Sequence, residues 1–550
     1  MSADHPLPSW PAALADRYRA EGAWRRSTIG AELSATARRF PERVAVADAV
    51  RRLSYAELDR QATAMAGGLL ARGLHPGGIV VVQSGNVVET IVAFYGLLKA
   101  GLVPVCSLPQ HRKREVGELI ALTGARAHLV QADWPRADLP ALAAELAAEH
   151  ESLQLTITTR GSVHGGVTLD ELIAHPPGPM PELDPEGLAV LQLSGGTTGT
   201  PKLIPRLHCD YLCNARAWAG RWGWDERNVA MHALPIMHNA GIALCVLPAL
   251  VTGATVVLAP RADAEVIVDL VERERVTDMV ANATVAYRLL ESDAARDADL
   301  SSLARLTVGP QTPEYASRLE SELGIRALGV FGMGEGMIMC TPWDAPEDAR
   351  RTTVGTPIHP LDEVRILDDE LTDVEEGEIG ELALRGPYTI PGYYAAAGHN
   401  AAAFTQDGFF RTGDLARAHD IDGVTFYSIE GRIKDNVNRG GEKIHADELE
   451  RLLVTHPGVA EVAVVGMPDP ELGERVCAYL VPRRDIPAPT VADLAEFLLG
   501  KGVAKFKLPE RVELRSELPV TSVRKVSKKS LREDIAAKLA NERQAKAVSG

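Results

Sequence analysis

The segment LSGGTTGTPKLIP, from Leu193 to Pro205, has the residue types best suited to hold a charged ligand. Seven of its thirteen residues are Ser, Gly or Thr, and Lys202 stands near its end. A loop of this composition offers unhindered backbone N–H groups and small hydroxyls that converge on phosphate oxygens, and a lysine adds positive charge. The apolar run LAVLQL before it predicts a strand, so the loop would lie at a strand's carboxyl end, where open α/β sheets bind ligands.

The order of residues in this loop argues against a P-loop phosphotransferase. The Walker pattern G-x-x-x-x-G-K-[ST] places its lysine between a glycine and a hydroxyl residue. Lys202 instead follows Pro201 and precedes Leu203. For the loop taken alone, a flexible polar connection is the structural alternative, and motifs farther along the chain decide between the two interpretations.

Four further motifs lie C-terminal to the loop: FGMGEG (331–336), RTGD (411–414), GRIKDNVNRGGEKI (431–444) and LPVTSVRKVSKKSLR (518–532). In this order, and together with the loop, they resemble the motifs of the adenylate-forming superfamily. That superfamily contains acyl-CoA synthetases, peptide-synthetase adenylation domains and luciferases. The resemblance extends over nearly the whole chain, and five motifs in one order are far more specific than any single motif.

The resemblance implies that the protein uses ATP and Mg²⁺ to convert a carboxylate into an acyl-adenylate and pyrophosphate, and then passes the acyl group to a thiol. Positioning and positive charge carry such a reaction, because negative charge builds on phosphate oxygens. Glu335 is implied as the Mg²⁺ ligand, since an oxygen ligand suits that hard cation. Asp414 and Arg432 would contact the ribose, and Lys525 would be the catalytic lysine. The other implied nucleotide contacts are Ser194, Gly195, Gly196, Thr197, Thr198, Lys202, Gly332 and Met333.

Without the earlier motifs, the charged residues among these would have simpler interpretations. Asp414 and Arg432 would then be members of surface ion pairs, and Lys525 one member of a solvated basic run. The resemblance also assigns a hinge to Asp435, about which a small C-terminal domain turns between two packed states. Lys525 would serve adenylation in one state, and Gly441 and Lys443 would serve thioester formation in the other.

Four segments are similar to a narrower group, the stand-alone aryl-acid AMP ligases that activate salicylate or 2,3-dihydroxybenzoate for siderophores and related nonribosomal products. Asn239 is the most informative residue in them, because amino-acid-activating relatives have an aspartate there that pairs with the substrate ammonium. A neutral amide can instead donate to a carboxylate and accept from an ortho hydroxyl or amino group. The four segments are SLPQHR (107–112), GGTTGTPKLIPRLHCDY (195–211), LPIMHNAG (234–241) and VNRGGEKI (437–444).

The implied acid-binding residues are His238, Asn239, Ala240, Leu244, Gly309 and Gly334, with His238 also assigned a catalytic role. A capped helix start is the structural alternative for His238 and Asn239. Dihydroxybenzoate ligases have Tyr and Ser where this chain has Ala240 and Leu244. A 3-hydroxyl would then be poorly matched, since a buried unpaired polar group costs about 1–3 kcal/mol. The sequence therefore predicts salicylate, an anthranilate-type acid or another substituted aryl acid.

Three positions depart from the family pattern. The segment TVGPQTPE (307–314) is shorter than the family's Gly-Gly-Ala loop that faces adenine, and it contains Pro310. Arg524 replaces the glycine that usually precedes the catalytic lysine. Gly334 replaces an alanine, which is a milder change.

The elements that must position these residues are predicted strands and helices that alternate over most of the chain. IVVVQS precedes VVETIVAFYGLLKAG, and VPVCSL precedes KREVGELIALTG, which predicts βαβ units around largely parallel sheets. After about Gly377 short alternating strands and Gly turns predict a β-rich section. The predicted fold is α/β, with an N-terminal domain over 1–434 of layered α/β sheets plus this β-rich part. A small mobile α+β domain would follow over 435–550.

The composition limits the partners. A chain of 550 residues with 58 Lys and Arg against 74 Asp and Glu has a formal charge of −16, which disfavours nucleic acid or an anionic membrane surface. The six cysteines show no C-x-x-C pair and predict buried thiols. The uncharged segment 241–260 predicts a buried helix and strand because Pro248 and a turn interrupt it. With no signal-peptide pattern at the N-terminus, we expect a cytoplasmic protein.

Several alternatives remain open from the sequence. The thiol acceptor would be the phosphopantetheine of an aryl carrier protein, or coenzyme A if the protein is an aryl-CoA ligase, and either would bind in trans. From other classes, the chain could be a phosphotransferase or NTPase that releases ADP, or a nucleotide-binding module without catalysis.

Overall fold

The computed structural model describes residues 7–176, 178–194, 202–309, 313–439, 442–470, 472–484, 486–521 and 525–549. They belong to two compact units. The first unit comprises Met1–Val364, Leu384–Phe410 and Ile421–Phe426, and the second comprises Arg365–Ala383, Arg411–Asp420 and Tyr427–Gly550. The division into compact units does not locate a hinge, so the predicted domain boundary between residues 434 and 435 stays a prediction.

A largely parallel sheet of seven described strands forms one layer of the first unit. Ile79–Gln83 and Val103–Ser107 pair in parallel, with the buried helix Val88–Lys99 between them in sequence. This confirms the predicted βαβ unit. An antiparallel hairpin of Leu188–Leu193 and Leu203–Leu207 closes one edge of the sheet. Across the sheet the order is Val167–Thr168, Leu155–Thr159, Ala127–Gln131, Ile79–Gln83, Val103–Ser107, Leu188–Leu193 and Leu203–Leu207.

The first unit also contains a mixed sheet of nine strands within the described ranges. Its central strands are parallel, and the hairpin of Arg326–Met333 and Gly336–Cys340 is antiparallel. The largest cluster of buried apolar side chains contains Val82 of the first sheet and Leu258 of this one, together with Phe94. Across this sheet the order is Thr356–Pro357, Gly336–Cys340, Arg326–Met333, Arg305–Val308, Asp278–Ala281, Val229–His232, Thr255–Leu258, Val44–Ala47 and Arg52–Ser54.

Helices connect and cover these strands. Several begin at residues that cap helices well; for example, Ser54 and Glu57 form a capping box at the start of Tyr55–Ala71, which satisfies two otherwise unpaired N–H groups. The α-helices of the first unit are Ala12–Ala20, Ile29–Arg39, Tyr55–Ala71, Val88–Lys99, Lys113–Thr123, Leu139–Glu149, Leu169–Ile173, His208–Trp222, Asn239–Gly241, Leu247–Thr252, Ala264–Glu274, Ala283–Leu290, Asp293–Asp297, Pro313–Leu323, Glu347–Thr352 and Ala397–Ala403.

The uncharged segment 241–260 folds as predicted into a helical part and a strand. A π-helical turn, Ile242–Val246, leads into the helix Leu247–Thr252, and the strand Thr255–Leu258 comes next. Gly253 ends the helix in a left-handed conformation with a φ of 83°, which glycine adopts without strain. Over the described ranges, no helix combines the length and the apolar character needed to cross a membrane.

The second unit contains the predicted β-rich section and the C-terminal α+β part. Most residues of a four-stranded sheet belong to it, ordered Glu363–Leu367, Ile379–Arg385, Phe410–Ile421 and Val424–Arg432. A five-stranded sheet among the described residues has the order Glu442–Ile444, Val437–Arg439, Gly473–Pro482 and Val459–Asp469, with Arg511–Leu514 beside Gly473–Pro482. The α-helices of the second unit are Ala446–Leu453, Val491–Gly500 and Lys528–Ser549, and it has 3₁₀ turns at Ile433–Asp435 and Lys505–Lys507.

Candidate active site

The predicted phosphate loop begins and ends on the edge hairpin of the first sheet. The Ser194 N–H donates to the Lys202 carbonyl at 2.9 Å, and the Lys202 N–H donates to the Ser194 hydroxyl at 3.0 Å. These two bonds close the base of the loop directly after the strand Leu188–Leu193, as the sequence predicted. The predicted phosphate contacts Gly195, Gly196, Thr197 and Thr198 lie outside the described residues.

The Lys202 side chain is held against two residues of the segment 393–399. Its Nζ lies 2.7 Å from His399 Nε2 and 5.0 Å from the centre of the Tyr393 ring. An ammonium group can only donate, so the imidazole accepts through Nε2 and carries its proton on Nδ1. Burial lowers the pKa of His399, and the Lys202 charge lowers it further. The lysine is therefore pre-positioned as a cation by a neutral histidine and an aromatic face.

Glu335 lies in the tight turn between the strands Arg326–Met333 and Gly336–Cys340. Tyr393 donates its phenol proton to Glu335 Oε1 at 2.7 Å. Burial raises the pKa of Tyr393, and the Glu335 charge adds to the effect, so the phenol stays a donor. Gly336 makes the turn possible: its φ is 129°, and a Cβ there would lie 2.3 Å from the Tyr388 carbonyl oxygen.

His238 and Asn239 start the helical segment before the π turn. The His238 Nδ1 accepts the Ala240 N–H at 3.3 Å, so the capped helix start considered from sequence is present. Gly241 packs so closely that a Cβ would lie 2.3 Å from the Ile236 carbonyl oxygen. These contacts place Asn239 at 8 % exposure beside the strand that ends at Met333.

A buried hydrogen-bond network surrounds the Asn239 amide. The Asn239 Oδ1 accepts from the Tyr211 hydroxyl at 2.7 Å and from Arg206 Nη1 at 3.3 Å, while Asn239 Nδ2 donates to the Met333 carbonyl at 3.3 Å. Arg206 is fully buried and also donates through Nε to Asp210 at 2.9 Å. Its guanidinium lies 4.0 Å from the Tyr211 ring centre.

Asp210 balances the buried charge of Arg206. Besides the Arg206 contact, its second oxygen accepts the Leu207 N–H at 2.7 Å. Burial raises the pKa of Asp210 to about 6, and Arg206 and the Leu207 hydrogen bond oppose that rise. Both oxygens of the carboxylate are thus used inside the protein, and an ion pair of this kind needs such bonds to offset its desolvation.

The other predicted acid-binding residues lie around this network or farther along the second sheet. Gly334 faces it directly: its carbonyl accepts from Arg206 at 3.3 Å, and a Cβ there would lie 2.6 Å from Ile204 Cδ1. Ala240 is half-buried, and Leu244 is buried in the wall of a small cavity that Trp218, Met279 and Thr307 also line. Gly309 comes directly after the strand Arg305–Val308 and is half-buried.

The predicted ribose residues meet in the second unit. Arg432 Nε donates to Asp414 Oδ1 at 2.7 Å, and Asp414 Oδ2 is buried without a hydrogen bond among the described residues. Burial raises the pKa of Asp414, while the charges of Arg432 and Lys525 oppose that rise. Lys525 is therefore close enough to Asp414 to act on it electrostatically.

Lys525 is exposed, and its backbone is hydrogen-bonded to Thr521. The Thr521 N–H donates to its carbonyl at 2.7 Å, and its own N–H donates to Thr521 Oγ1 at 3.3 Å. The predicted hinge residue Asp435 ends a 3₁₀ turn and pairs with Arg532, which also donates to the Lys434 carbonyl at 3.2 Å. Gly441, Arg524 and Pro310 lie outside the described residues, and of Lys443 only the backbone, in the strand Glu442–Ile444, is described.

Comparison with known proteins decides the family. The profile of the AMP-binding enzyme family matches residues 33–394, and that of the AMP-binding enzyme C-terminal domain matches 448–525. The chain belongs to the AMP-binding enzymes. It is 40% identical to 2,3-dihydroxybenzoate-AMP ligase of Bacillus subtilis, over 96% of this chain and 98% of the relative. It is 38% identical to salicyl-AMP ligase / salicyl-S-ArCP synthetase of Mycobacterium tuberculosis, over 95% and 93% of the two chains.

A solved structure supports the fold of this AMP-binding enzyme. The apo structure of MbtA from Mycobacterium smegmatis superposes with a TM-score of 0.74 at 36% identity, covering 96% of this chain and 98% of that chain. The predicted α/β fold class, the resemblance to aryl-acid AMP ligases and the predicted class of ATP-dependent, adenylate-forming ligase are confirmed. The roles of individual site residues stay predictions.

Sequence reasoning missed several residues around the site of this AMP-binding enzyme, among them Arg206, Tyr211 and Tyr393. Arg206 and Tyr211 stand in a segment recognised as specific, PKLIPRLHCDY, but no role was assigned to them. Tyr393 lies in the sequence PGYY, which contributed only to the prediction of a β-rich section. The available signal for Arg206 was its place in the otherwise apolar run LIPRL (203–207), because a buried charge needs partners.

Proposed function

We propose that this AMP-binding enzyme activates an aryl acid with an ortho substituent, of the salicylate or anthranilate type. In the first step a carboxylate oxygen of the acid attacks the α-phosphorus of ATP. An oxygen–phosphorus bond forms, the bond to the β-phosphate bridging oxygen breaks, and pyrophosphate leaves. In the second step the phosphopantetheine thiol of an aryl carrier protein attacks the aryl carbonyl, a thioester forms and AMP leaves.

The observation that carries this proposal is the hydrogen-bond network around Asn239, in which the charges of Arg206 and Asp210 balance. We call this network the Asn239 corner. An amino acid substrate would need a carboxylate there to pair with its ammonium group. The Asp210 carboxylate is the one in this network, and both of its oxygens are already used by Arg206 and the Leu207 N–H. The corner therefore suits an acid that brings hydrogen-bonding groups and no cation.

The apolar side chain of Leu244 supports a substrate without a 3-hydroxyl. Leu244 is buried, and Trp218, Met279 and Val280 line the same small cavity. Asp278 also borders this cavity, but its oxygens accept from Trp224, Asn228 and Thr277. A hydroxyl directed at the Leu244 side chain would lose its hydrogen bonds to water without replacement from that side chain, at a cost of about 1–3 kcal/mol.

The nucleotide contacts predicted from the family fit the chemistry of the residues present. Lys202, held by His399 and Tyr393, supplies a fixed cation for phosphate oxygens. Asp414 Oδ2 is a buried acceptor without a partner in the described part of the chain, as a residue that binds a ribose hydroxyl requires. In this proposal Lys525 stabilises the negative charge that develops between the carboxylate and the α-phosphate.

Glu335 fits the proposed Mg²⁺ site. The Tyr393 phenol occupies Oε1 of its carboxylate and leaves Oε2 to a hard cation, which prefers oxygen ligands. Within the described ranges no group of three or more His, Cys, Asp or Glu side chains forms a metal cage. A single carboxylate such as Glu335 suits Mg²⁺, which usually keeps several waters and is held by one or two carboxylates plus substrate phosphates. When bound, the ion would neutralise charge on the phosphates.

Carboxylate-dependent exchange of pyrophosphate into ATP tests the proposed function. The panel would contain salicylate, anthranilate, 2,3-dihydroxybenzoate, 3-hydroxyanthranilate, benzoate and several amino acids. We expect strong exchange with an ortho-substituted aryl acid, weaker exchange with 2,3-dihydroxybenzoate and none with amino acids. Exchange with amino acids alone, or release of ADP instead of pyrophosphate, would contradict the proposal.

The acceptor needs a separate measurement. The name of the mycobacterial relative includes loading of an aryl carrier protein, and we assign the same type of acceptor to this chain. Single-turnover transfer from the enzyme-bound adenylate to a phosphopantetheinylated aryl carrier protein would be compared with transfer to coenzyme A. Faster transfer to coenzyme A would replace this acceptor with the alternative, an aryl-CoA ligase.

A further inference from the structure

The network around Asn239 defines which of its amide atoms can serve a substrate. We propose that Arg206 and Tyr211 are positioning residues that lock the Asn239 amide as a hydrogen-bond donor, and that this lock selects aryl acids whose ortho group accepts a hydrogen bond. This inference rests on the proposed function and narrows its substrate class to ortho-hydroxy acids over ortho-amino acids.

The orientation of the amide is fixed by groups whose hydrogen-bonding character cannot change. A guanidinium only donates and a backbone carbonyl only accepts. Arg206 Nη1 lies 3.3 Å from one amide terminus of Asn239, and the Met333 carbonyl lies 3.3 Å from the other. Rotating the amide by half a turn would place N–H against N–H on one side and oxygen against oxygen on the other. The amide therefore has its oxygen toward Arg206.

Tyr211 removes the remaining acceptor capacity of that oxygen. A carbonyl oxygen has two lone pairs, and the Tyr211 hydroxyl at 2.7 Å and Arg206 Nη1 fill both. The two Nδ2 hydrogens are used differently: one donates to Met333, and the other has no acceptor among the described residues. Asn239 therefore offers a bound acid a donor and no acceptor.

The network is rigid because charge and packing hold each member. Arg206 has 0 % exposure and is paired with Asp210, so moving its guanidinium would leave a buried carboxylate unpaired. The guanidinium also lies 4.0 Å from the Tyr211 ring centre. Any change of the Asn239 orientation would need all of these groups to move together.

Ortho-hydroxy and ortho-amino acids present different groups to this donor. In salicylate the hydroxyl hydrogen points to the adjacent carboxylate, and the outer side of the oxygen accepts. In anthranilate one N–H points to the carboxylate and the second N–H points outward, while the nitrogen lone pair is delocalised into the ring. Asn239 Nδ2 would thus meet an acceptor in the first acid and a second donor in the other.

The test compares kcat/KM for salicylate and anthranilate in pyrophosphate exchange, in the wild-type protein and in Tyr211→Phe. The wild type should prefer salicylate by about tenfold or more, the factor that corresponds to one hydrogen bond of about 1.4 kcal/mol. Tyr211→Phe leaves the Asn239 oxygen held by Arg206 alone and frees one of its lone pairs. The amide, still bonded to the Met333 carbonyl, thus gains an acceptor and is held less firmly. Salicylate use should then fall about tenfold while anthranilate use changes little, so that their ratio approaches one.

Matched variants separate specificity from general damage. Tyr55→Phe removes another buried phenol, which donates to the Ala249 and Ala254 carbonyls in the first unit, and should leave the substrate ratio unchanged. Asn239→Asp replaces the donor with an acceptor, so it should lower salicylate use most and reverse the preference. These variants also provide a readout if Tyr211→Phe does not fold.

Each outcome supports or overturns the inference. A wild-type preference for anthranilate would overturn it whatever the variants do, and so would an unchanged ratio in both Tyr211→Phe and Asn239→Asp. These results would leave the proposed function standing, since exchange with an aryl acid would still occur. No exchange with any aryl acid would overturn the proposed function, and this inference with it.

Discussion

The buried carboxyl of Asp362 leads to a prediction about stability that is independent of substrate. Its Oδ2 accepts from the Tyr388 hydroxyl at 2.6 Å and from the His359 N–H at 3.2 Å. Its Oδ1 is buried without a hydrogen bond in the described part of the chain, close against Gly386. Burial raises the pKa of Asp362 from 3.8 to about 8, although the two hydrogen bonds and the charge of Arg221 lower it.

Proton linkage gives the sign of the effect. Between the two pKa values the native protein keeps a proton on Asp362 that the unfolded chain has released, so stability falls as pH rises. Each pH unit in this interval removes about 1.4 kcal/mol. From about pH 4 to about pH 8 this carboxyl alone would cost the native state on the order of 5 kcal/mol, as an upper value. Below about pH 4 its contribution is constant.

Asp362→Asn should remove this pH dependence, because the amide has nearly the shape of the neutral acid and carries no charge. We expect little change in stability near pH 4, a stabilisation of about 1–2 kcal/mol near pH 5 and one of several kcal/mol near pH 8. All seven tryptophans precede residue 365, in the unit that contains Asp362. Urea unfolding followed by tryptophan fluorescence therefore reports on the relevant part of the chain.

Tyr388→Phe is the matched control for Asp362→Asn. It removes one hydrogen bond to the carboxyl but keeps the ionisable group, so its stability should fall with rising pH at least as steeply as in the wild type. The reasoning would be refuted if Asp362→Asn and wild type lost stability in parallel between pH 5 and pH 8. An equal destabilisation by Asp362→Asn at pH 5 and at pH 8 would also refute the assignment of this pH dependence to Asp362.

Three further predictions concern the reaction. Lys525→Ala should lower adenylate formation about 100-fold or more without changing the melting temperature, because the lysine acts mainly in the transition state; unchanged pyrophosphate exchange would refute its assignment. Tyr393→Phe should raise the Mg²⁺ concentration needed for half-maximal exchange about tenfold, since Glu335 loses a hydrogen bond to its carboxylate. An unaltered Mg²⁺ dependence would argue against that role. Arg532→Ala releases Asp435 and should change thioester formation more than adenylation, measured in single turnovers, whereas equal factors for both steps would argue against a hinge there.

Much of the fold and part of the site could be predicted from local sequence. Strand and helix periodicity identified the βαβ unit around Val88–Lys99 and the β-rich section after Gly377. The Ser-Gly-Thr segment was placed correctly after a strand, and its base is closed by Ser194 and Lys202. These features depend on neighbouring residues, whose alternation and turn propensities are visible in the sequence itself.

The tertiary structure decided which distant side chains act together. Tyr211 and Arg206 reach Asn239 across 28 and 33 residues of chain, and Tyr393 reaches Glu335 across 58. No periodicity encodes such contacts, because the pairing of strands and the packing of helices set them. The sequence by itself determined the family, the α/β fold and a neutral amide at position 239. Only the folded structure determined that this amide is a donor, since its orientation depends on a buried arginine, a tyrosine and a backbone carbonyl that meet there.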